Sequence, residues 1–259
     1  MVEKPCLNSQ KLNYDCQNFG IGLRHWKMPT STAENYLKSI LILSGGADGV
    51  VATGAIAEAL GVTPGTISTM VKSLAGQGFL EYRSREGVWL TTEGRKAALV
   101  VLRKHRLIET FLVQALKMDW SDVNQEAEAL EHSISDRVLS RIDDYLGHPE
   151  VDPHGDLIPR LNSLQFERSG GPTLATCAIG KPLRVERILD QSPGFLTFIQ
   201  DNGLKPGARL RLRKRDEVGG VVECELSDRI CVLGLTEARK VEVKVSSSIA
   251  TIPPAKPTV

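Results

Sequence analysis

Residues 53–80 read TGAIAEALGVTPGTISTMVKSLAGQGFL, a stretch that predicts two short helices joined by a tight turn. The turn falls at residues 61–63, Pro64 stands where the second helix begins, and two glycines end that helix. The following segment, FLEYRSREGVWLTT (79–92), alternates as two β-strands around a turn at 84–87. A helix-turn-helix followed by such a hairpin predicts a winged helix; a small helical domain with an incidental hairpin is the alternative.

Short hydroxyl side chains begin the second predicted helix, and basic side chains follow on it and on the hairpin. Residues 62–106 hold eight Lys and Arg against three Glu, a balance that suits an anionic partner. Hydroxyl groups at this end of a recognition helix reach base edges and phosphates, and basic groups neutralise backbone charge. We therefore expect double-stranded DNA as the partner. The candidate DNA-binding residues are Thr63, Thr66, Ser68, Thr69, Lys72, Arg83 and Arg85.

The composition is that of a globular chain, with 259 residues, 41% hydrophobic residues and a net charge of +1. It contains no apolar run near the ~18 residues of a membrane span and no charged-then-apolar leader, so we expect a cytoplasmic protein without a membrane partner. The five cysteines are scattered without a C-x-x-C pair, which argues against a disulfide framework and a structural zinc site. We interpret them as reduced thiols.

Residues 126–137, EAEALEHSISDR, place acidic side chains on a face that should be buried. They read as one amphipathic helix whose apolar stripe, at about 100° per residue, contains Glu131, with Glu128 and His132 at its border. An unpaired buried charge costs several kcal/mol, so something must compensate it. Residues 109–156 hold twelve Asp and Glu against three Lys and Arg, which suits a cationic partner.

The long helix predicted to begin near Thr92 repeats this feature. His105 and Glu109, four residues apart, share its apolar face. A divalent cation between the two helices would compensate all of these groups at once. Any single residue of this kind is more often solvated or in a salt bridge, but no Lys or Arg lies on the apolar face of either helix.

Two further alternatives remain open at this point. Helix-borne Glu and His also build di-metal carboxylate enzymes, although the second E-x-x-H helix that such an enzyme needs is absent from the sequence. A winged-helix regulator could also keep a vestigial, purely structural metal site. The three classes differ in whether metal changes DNA binding.

The sequence around these features resembles a known family, the iron- and manganese-dependent repressors of the diphtheria toxin repressor and manganese transport regulator type. In that family an N-terminal winged helix binds operator DNA, and the following helices form a dimer that holds two neighbouring metal sites. The resemblance implies a metal-dependent repressor, not an enzyme, with no small-molecule substrate. It covers residues 30 to about 160 through the segments TAENYLKSI, IAEALGVTPGTISTMVKSL, GVWLTTEGRKAA, RKHRLIETFL, EAEALEHSISD and HPEVDPHGDLIP.

The resemblance also implies a set of metal ligands. This chain has Lys38 where manganese-type members supply a carboxylate, and Glu128 where iron-type members have Cys. A carboxylate in place of a thiolate favours Mn²⁺ as the cofactor, with Fe²⁺ as the alternative. The implied ligands are Asn35, Glu128, Glu131 and His132 in the primary site and His105 and Glu109 in the second, with Asn124, Asp190 and Gln191 as weaker positions.

The last third of the chain predicts short alternating strands that form a small β-barrel. The barrel resembles the SH3-like (FeoA-type) domain that many of these repressors carry. The fold class is therefore mainly α with a C-terminal β domain. The predicted segments are an N-terminal extension (1–29), a winged helix-turn-helix (30–98), a metal-binding and dimerisation domain (99–161), a linker (162–177), the SH3-like domain (178–246) and a disordered tail (247–259).

Apolar side chains on two of the central helices exceed what two helices need to cover each other. Part of this surface should pack against a second chain. We expect a two-fold homodimer that presents two recognition helices to a palindromic operator. The candidate interface residues are Phe111, Leu112, Leu139, Ile142 and Leu146.

Overall fold

The computed structural model describes residues 29–46, 49–166, 170–226 and 229–246. The predicted extension (1–29), apart from its last residue, and the predicted tail (247–259) lie outside the described residues. None of the helices in the described part of the chain combines the length and the apolar character that a membrane span requires.

The N-terminal unit is a winged helix, as the sequence predicts. The turn between its second and third helices contains Gly61 at φ 62°, a left-handed conformation that glycine adopts without a steric penalty. Thr63 then caps the third helix by accepting a hydrogen bond from the backbone N–H of Thr66. Its elements are α1 (Ser31–Leu43), α2 (Thr53–Leu60), α3 (Pro64–Gly76), β1 (Leu80–Arg83) and β2 (Gly87–Leu90).

Three further helices make the central unit: α4 (Thr92–Gln114), α5 (Val123–Leu130) and α6 (Asp136–Leu146). The long α4 packs against α1 as well as α5 and α6, so it belongs to both units. Its first half joins the core of the winged helix, and its second half joins a small core with Val123 and Ala127 of α5. Side chains along α4 can therefore be shared between the two units.

The prediction of one continuous helix over 126–137 is wrong. Helix α5 ends at Leu130, Glu131 is its C-cap, and α6 starts only at Asp136. Ser135 begins the new helix because its side chain accepts a hydrogen bond from the backbone N–H of Val138. Glu131 is still buried, but the break in the chain places it there rather than a helical stripe.

The C-terminal unit is an antiparallel five-stranded sheet in the order β6-β5-β4-β3-β7. All five strands coincide closely with the segments that alternate in the sequence, and the fold class is confirmed. Helix α7 was not predicted, yet it contributes Leu196 and Ile199 to the core of this unit. The elements are β3 (Pro182–Ile188), α7 (Pro193–Asp201), β4 (Arg209–Asp216), β5 (Val221–Leu226), β6 (Arg229–Gly234), α8 (Leu235–Ala238) and β7 (Val241–Val245).

The predicted linker over 162–177 is not a free spacer along its described part. Phe166 is buried in the core of the winged helix, and Leu174 and Cys177 are buried in the core of the β unit. These apolar side chains anchor both ends of the segment. The Ser, Gly and Pro content of the segment did not reveal this.

The loop after α6 packs closely against the β unit. A Cβ on Gly155 would lie 2.0 Å from the carbonyl oxygen of Glu186, so only glycine fits this close approach. The backbone N–H of Ile188 donates to the carbonyl of His154 over 2.9 Å. The loop therefore lies between α4 and β3, where the central and β units meet.

Candidate metal centres and DNA-facing surface

The first polar centre, defined by His105, Glu128 and Glu131, forms where α1, α4 and α5 meet. Ligand-type atoms of these three residues lie within 4.8 Å of one another. The ammonium group of Lys38, from α1, lies among them: its Nζ is 2.7 and 2.9 Å from the two carboxylate oxygens of Glu131 and 2.8 Å from Oε1 of Glu128. Lys38 is only 6% exposed and Glu131 only 1%. The cation that compensates the buried acid is thus a side chain of the protein.

The imidazole of His105 is held between two carboxylates. Its Nδ1 lies 2.7 Å from Oε2 of Glu131, and its Nε2 lies 3.3 Å from Oε1 of Glu109. Burial lowers the pKa of His105, but the contacts with Glu109 and Glu131 outweigh this effect and raise it to about 9. Burial also raises the pKa of Glu131, while His105 and Lys38 lower it below its ordinary value. As arranged, the carboxylate oxygens of this donor set are in contact with the Lys38 ammonium.

Asn35 and His132 lie beside the first centre and bond to each other. Nε2 of His132 is 2.8 Å from Oδ1 of Asn35, and its Nδ1 is 2.6 Å from Oε2 of Glu34. Both ring nitrogens therefore have an oxygen partner. Sequence reasoning missed the roles of Glu34 and Lys38; their spacing of four residues on α1, on either side of Asn35, was the available signal.

The second polar centre, defined by Glu109, Asp152 and His154, lies farther along α4 at the junction with the β unit. All three residues are buried, with exposed fractions of 1%, 5% and 0%. One ligand-type atom from each lies within 4.8 Å of the others. Oε1 of Glu109, Oδ2 of Asp152 and Nδ1 of His154 have no hydrogen-bond partner. Three buried atoms without a hydrogen bond in one place indicate a ligand, because isolated cases are already rare in native proteins. Two of them do have a charged neighbour: Oε1 of Glu109 lies 3.3 Å from Nε2 of His105, and Oδ2 of Asp152 lies 3.4 Å from Nε of Arg106.

The tautomer of His154 suits metal binding. Its Nε2 is 3.1 Å from the backbone carbonyl of Trp120, which can only accept, so Nε2 carries the hydrogen. The lone pair therefore resides on Nδ1, which has no hydrogen-bond partner. A hydrogen bond from the other ring nitrogen to a carbonyl is the usual support of a metal-bound histidine.

The carboxyl of Asp152 is oriented by the backbone. Its Oδ1 accepts hydrogen bonds from the N–H groups of His154 and Asp156, over 2.8 and 3.0 Å. Its Oδ2 faces Nε of Arg106 at 3.4 Å. Burial, and then the charge of Asp156, raise the pKa of Asp152 to about 8. A further cation would restore the carboxylate form, so the residues present fit a divalent metal ion.

The weaker predicted ligands divide between two places. Asn124 and Gln191 line a cavity of about 190 Å³ that also touches both centres, and Gln191 donates to Asp156 over 2.9 Å. Asp190 instead pairs with Lys240 at 2.8 Å. Asp152 and His154 were absent from the predicted ligand set although they stand in the segment HPEVDPHGDLIP. The several carboxylate residues around the histidine of this segment were the signal that could have identified Asp152 and His154 as ligands.

The candidate DNA-binding residues are all exposed and lie on α3, at its N-cap and on the hairpin. The hydroxyl groups of Ser68 and Thr69 donate to backbone carbonyls one turn earlier, which leaves their oxygens able to accept. At the hairpin, Arg83 stacks over Trp89 at 5.1 Å and Arg85 occupies the turn at φ 73°. Exposed side chains of this set are Thr63, Thr66, Ser68, Thr69, Lys72, Arg83 and Arg85.

The candidate interface residues are covered to different degrees. Leu112 and Ile142 are buried within this chain, at 5% and 9% exposure, while Phe111, Leu139 and Leu146 are half-buried. The ring of Phe111 contacts Tyr145 edge to face, with centroids 6.0 Å apart. Further exposed apolar side chains are Leu130 on α5 and Val138 and Tyr145 on α6.

Family models match most of the chain. The iron-dependent repressor N-terminal DNA-binding domain matches residues 28–88, the iron-dependent repressor metal-binding and dimerisation domain matches 91–160, and the FeoA domain matches 173–245. These three segments correspond to the winged helix, the central helices and the β unit.

Relatives and solved structures agree with these matches. The iron-dependent repressor IdeR of Mycobacterium leprae is 33% identical over 196 residues, covering 69% of this chain and 82% of the relative. The regulator MntR of Lysinibacillus sphaericus is 31% identical over 142 residues, covering 55% and 99%.

A manganese-dependent transcriptional repressor in complex with manganese is 37% identical to this chain, with a TM-score of 0.75 and coverage of 83% of this chain and 100% of that structure. The manganese regulator SloR is 30% identical, with a TM-score of 0.68 and coverage of 85% and 100%. The resemblance inferred from the sequence is confirmed, and the chain belongs to the iron-dependent repressor family.

Proposed function

We propose that this protein is a metal-responsive transcriptional repressor that binds double-stranded operator DNA as a homodimer in the cytoplasm and is not an enzyme. The observation that carries the proposal is the second centre, where Glu109, Asp152 and His154 lie within metal-ligand distance of one another and each has a buried atom without a hydrogen bond. The names of the relatives, which are iron- or manganese-dependent repressors, support it.

The second centre favours Mn²⁺, with Fe²⁺ as the alternative. Two carboxylates and one imidazole form a hard donor set without thiolate, which suits Mn²⁺ better than softer metals. A bound ion would neutralise the negative charge that Glu109 and Asp152 share. The predicted primary site of Asn35, Glu128, Glu131 and His132 is not part of this proposal, because Lys38 already serves as the cation of Glu128 and Glu131.

The centre is connected to the DNA-binding surface through α4. This helix of 23 residues, roughly 35 Å at 1.5 Å per residue, runs from the winged helix to the second centre. Glu109 lies on α4, whereas Asp152 and His154 lie on the loop wedged against β3. Metal that binds more tightly to the DNA-competent arrangement shifts the population toward it, by no more than that difference in affinity.

The half-buried and exposed apolar side chains of α4, α5 and α6 support a two-fold dimer. In such a dimer the two α3 helices would face successive major grooves, about 34 Å apart, of a palindromic site. Leu139→Asp is expected to produce a monomer in sedimentation, because it places a charge on the proposed interface. An unchanged dimer would contradict the placement of this interface.

DNA binding with and without Mn²⁺ tests the metal response. The probe is a duplex selected from a random pool with the wild-type protein and Mn²⁺. We expect Mn²⁺ to increase the affinity of the wild type, and Asp152→Asn to abolish that increase while leaving metal-free binding unchanged. Glu150→Gln, which changes an exposed carboxylate of the same loop, is the matched control. An Asp152→Asn protein with the metal dependence of the wild type would contradict the proposal.

The hairpin can be tested separately by salt titration. Arg85→Ala should weaken binding to every sequence and lower the slope of log affinity against log salt by about one. Arg160→Ala removes an exposed arginine outside the hairpin and should change neither quantity. If affinity and slope both stay at wild-type values in Arg85→Ala, the hairpin is not a DNA contact.

A further inference from the structure

We propose that Lys38 is a resident cation that takes the place of a divalent ion in the first centre and fastens α1 of the winged helix to α4 and α5 whether or not metal is present. A second part, that the metal response of the chain comes from the second centre alone, rests on the proposed function.

Space in the first centre supports this assignment. Nζ of Lys38 lies 2.7–2.9 Å from three carboxylate oxygens of Glu128 and Glu131. A metal ion would need those same oxygens at about 2.0–2.2 Å. The ammonium and a divalent ion cannot occupy the middle of this group together, because both need the same oxygens.

Both ring nitrogens of His105, and of His132 beside the first centre, already contact an oxygen atom. Nδ1 of His105 lies 2.7 Å from Oε2 of Glu131, and Nδ1 of His132 lies 2.6 Å from Oε2 of Glu34. A carboxylate only accepts, so both nitrogens carry a hydrogen. The remaining nitrogens face Glu109 at 3.3 Å and Asn35 at 2.8 Å. The second centre differs, because Nδ1 of His154 is unpartnered.

The charge of the Lys38 ammonium also argues against a divalent ion in the first centre. Glu131 is 1% exposed, and its carboxylate already contacts Lys38 and His105. A divalent ion beside a buried ammonium would meet strong repulsion, since like charges at this range interact strongly away from water. Metal could enter only after Lys38 had left, and the lysine would then lose three hydrogen bonds.

The consequence is a permanent connection between the DNA-binding and central units. Lys38, Asn35 and Glu34, all on α1, bond to Glu131 or His132 at the end of α5. These contacts tie the position of α1 to α5 without metal. The first centre then connects the two units whether or not metal is present, and the second centre is the one whose state depends on metal.

The number of Mn²⁺ ions bound per chain tests the proposal, with free Mn²⁺ measured by electron paramagnetic resonance. We expect one ion per chain for the wild type and two for Lys38→Ala. The variant removes the ammonium group that fills the space between Glu128 and Glu131 and that repels a divalent ion. Lys104→Ala, which removes a half-buried lysine paired with the exposed Asp136, should still bind one. Glu109→Gln should lower each count by one.

Melting temperatures give a second readout. In chelator, Lys38→Ala should melt several degrees below the wild type, because Glu131 loses its cation, and Mn²⁺ should restore much of the difference. If Lys38→Ala binds no more Mn²⁺ than the wild type, or if wild-type uptake survives Glu109→Gln and is lost in Glu131→Gln, the proposal is overturned.

Crystals of the wild type soaked in Mn²⁺ remove any dependence on the folding of the variant. Anomalous scattering is expected at Glu109, Asp152 and His154 and not between Glu128 and Glu131; a peak between those two would overturn the assignment. Failure of the proposed function is distinguishable. A wild type that binds no ion contradicts the second centre, while the gain of one ion in Lys38→Ala still decides the role of Lys38.

Discussion

The two polar centres are built from the same residue types and share α4, yet they are completed in different ways. In the first, Lys38 from α1 donates to Glu128 and Glu131. In the second, ligand atoms of Asp152 and His154 have no hydrogen-bond partner, although both side chains are buried. The hydrogen bonds of Lys38 therefore distinguish the first centre from the second, where Arg106 lies 3.4 Å from Asp152 and the ligand atoms still lack hydrogen bonds.

The difference has opposite consequences for stability. Removing one partner of a buried ion pair leaves an uncompensated charge, which is strongly destabilising. Removing a charge from a group that already lacks a full set of partners relieves a desolvation cost instead. The metal-free protein should therefore depend on the first centre for its stability and be indifferent to the second.

The largest expected effect is at Lys38. Lys38→Met should lower the free energy of unfolding in chelator by about 3 kcal/mol, since Glu131 is left buried without a cation. Lys38→Met combined with Glu131→Met should recover most of this loss, because two packed apolar side chains replace the pair. Urea denaturation measures both.

Lys104→Met is the matched control for that measurement. Its partner Asp136 is 74% exposed, so the loss should stay below about 1 kcal/mol. A Lys38→Met protein as stable as this control would remove the distinction between the two centres.

A smaller free-energy change is expected from Asp152→Asn, and it should appear in metal binding rather than in folding. Loss of a residue that hydrogen-bonds to a metal ligand typically lowers metal affinity by roughly 10–100-fold. The Mn²⁺ affinity of Asp152→Asn should fall by more than this, because the substitution weakens a ligand itself. In chelator the variant should unfold at the same or a higher urea concentration than the wild type, because the carboxyl whose pKa burial raises to about 8 has become neutral. Calorimetric titration with Mn²⁺ and urea denaturation check the two parts; a destabilised apo variant with normal Mn²⁺ affinity would reverse the assignment.

The smallest effect is expected at Asn35. Because Lys38 completes the first centre, Asn35→Asp should change Mn²⁺ affinity by less than about 0.5 kcal/mol in the wild-type background, as expected of sites that do not interact. In the Lys38→Ala background the same change should tighten the newly opened site, since it adds a carboxylate beside His132. Equal effects in both backgrounds would show that Lys38 does not control access to this centre.

Much of the fold was accessible from sequence because its signals are local. Pro64 and the Gly61 turn mark α3, and the alternation after residue 178 predicts short strands in the region where the structure has β3 to β7. The error over 126–137 arose because Glu131 and Ile134 fall at the spacing of the apolar stripe although the helix ends between α5 and α6. The N-cap formed by Ser135 outweighs that periodicity and starts a new helix. Helix α7 was missed because it is short and begins with Pro193 and Gly194, a pair that also marks loops.

The sequence by itself determined that acidic and imidazole groups would be buried on α4 and near the end of α5, and that a cation had to accompany them. Only the tertiary structure decided which cation each centre receives. Lys38 reaches Glu131 from 93 positions earlier in the chain, and the loop carrying Asp152 and His154 meets Glu109 because it is wedged against β3. Local periodicity specifies which face of a helix is buried, but the side chains that meet there come from distant segments and depend on how the units pack.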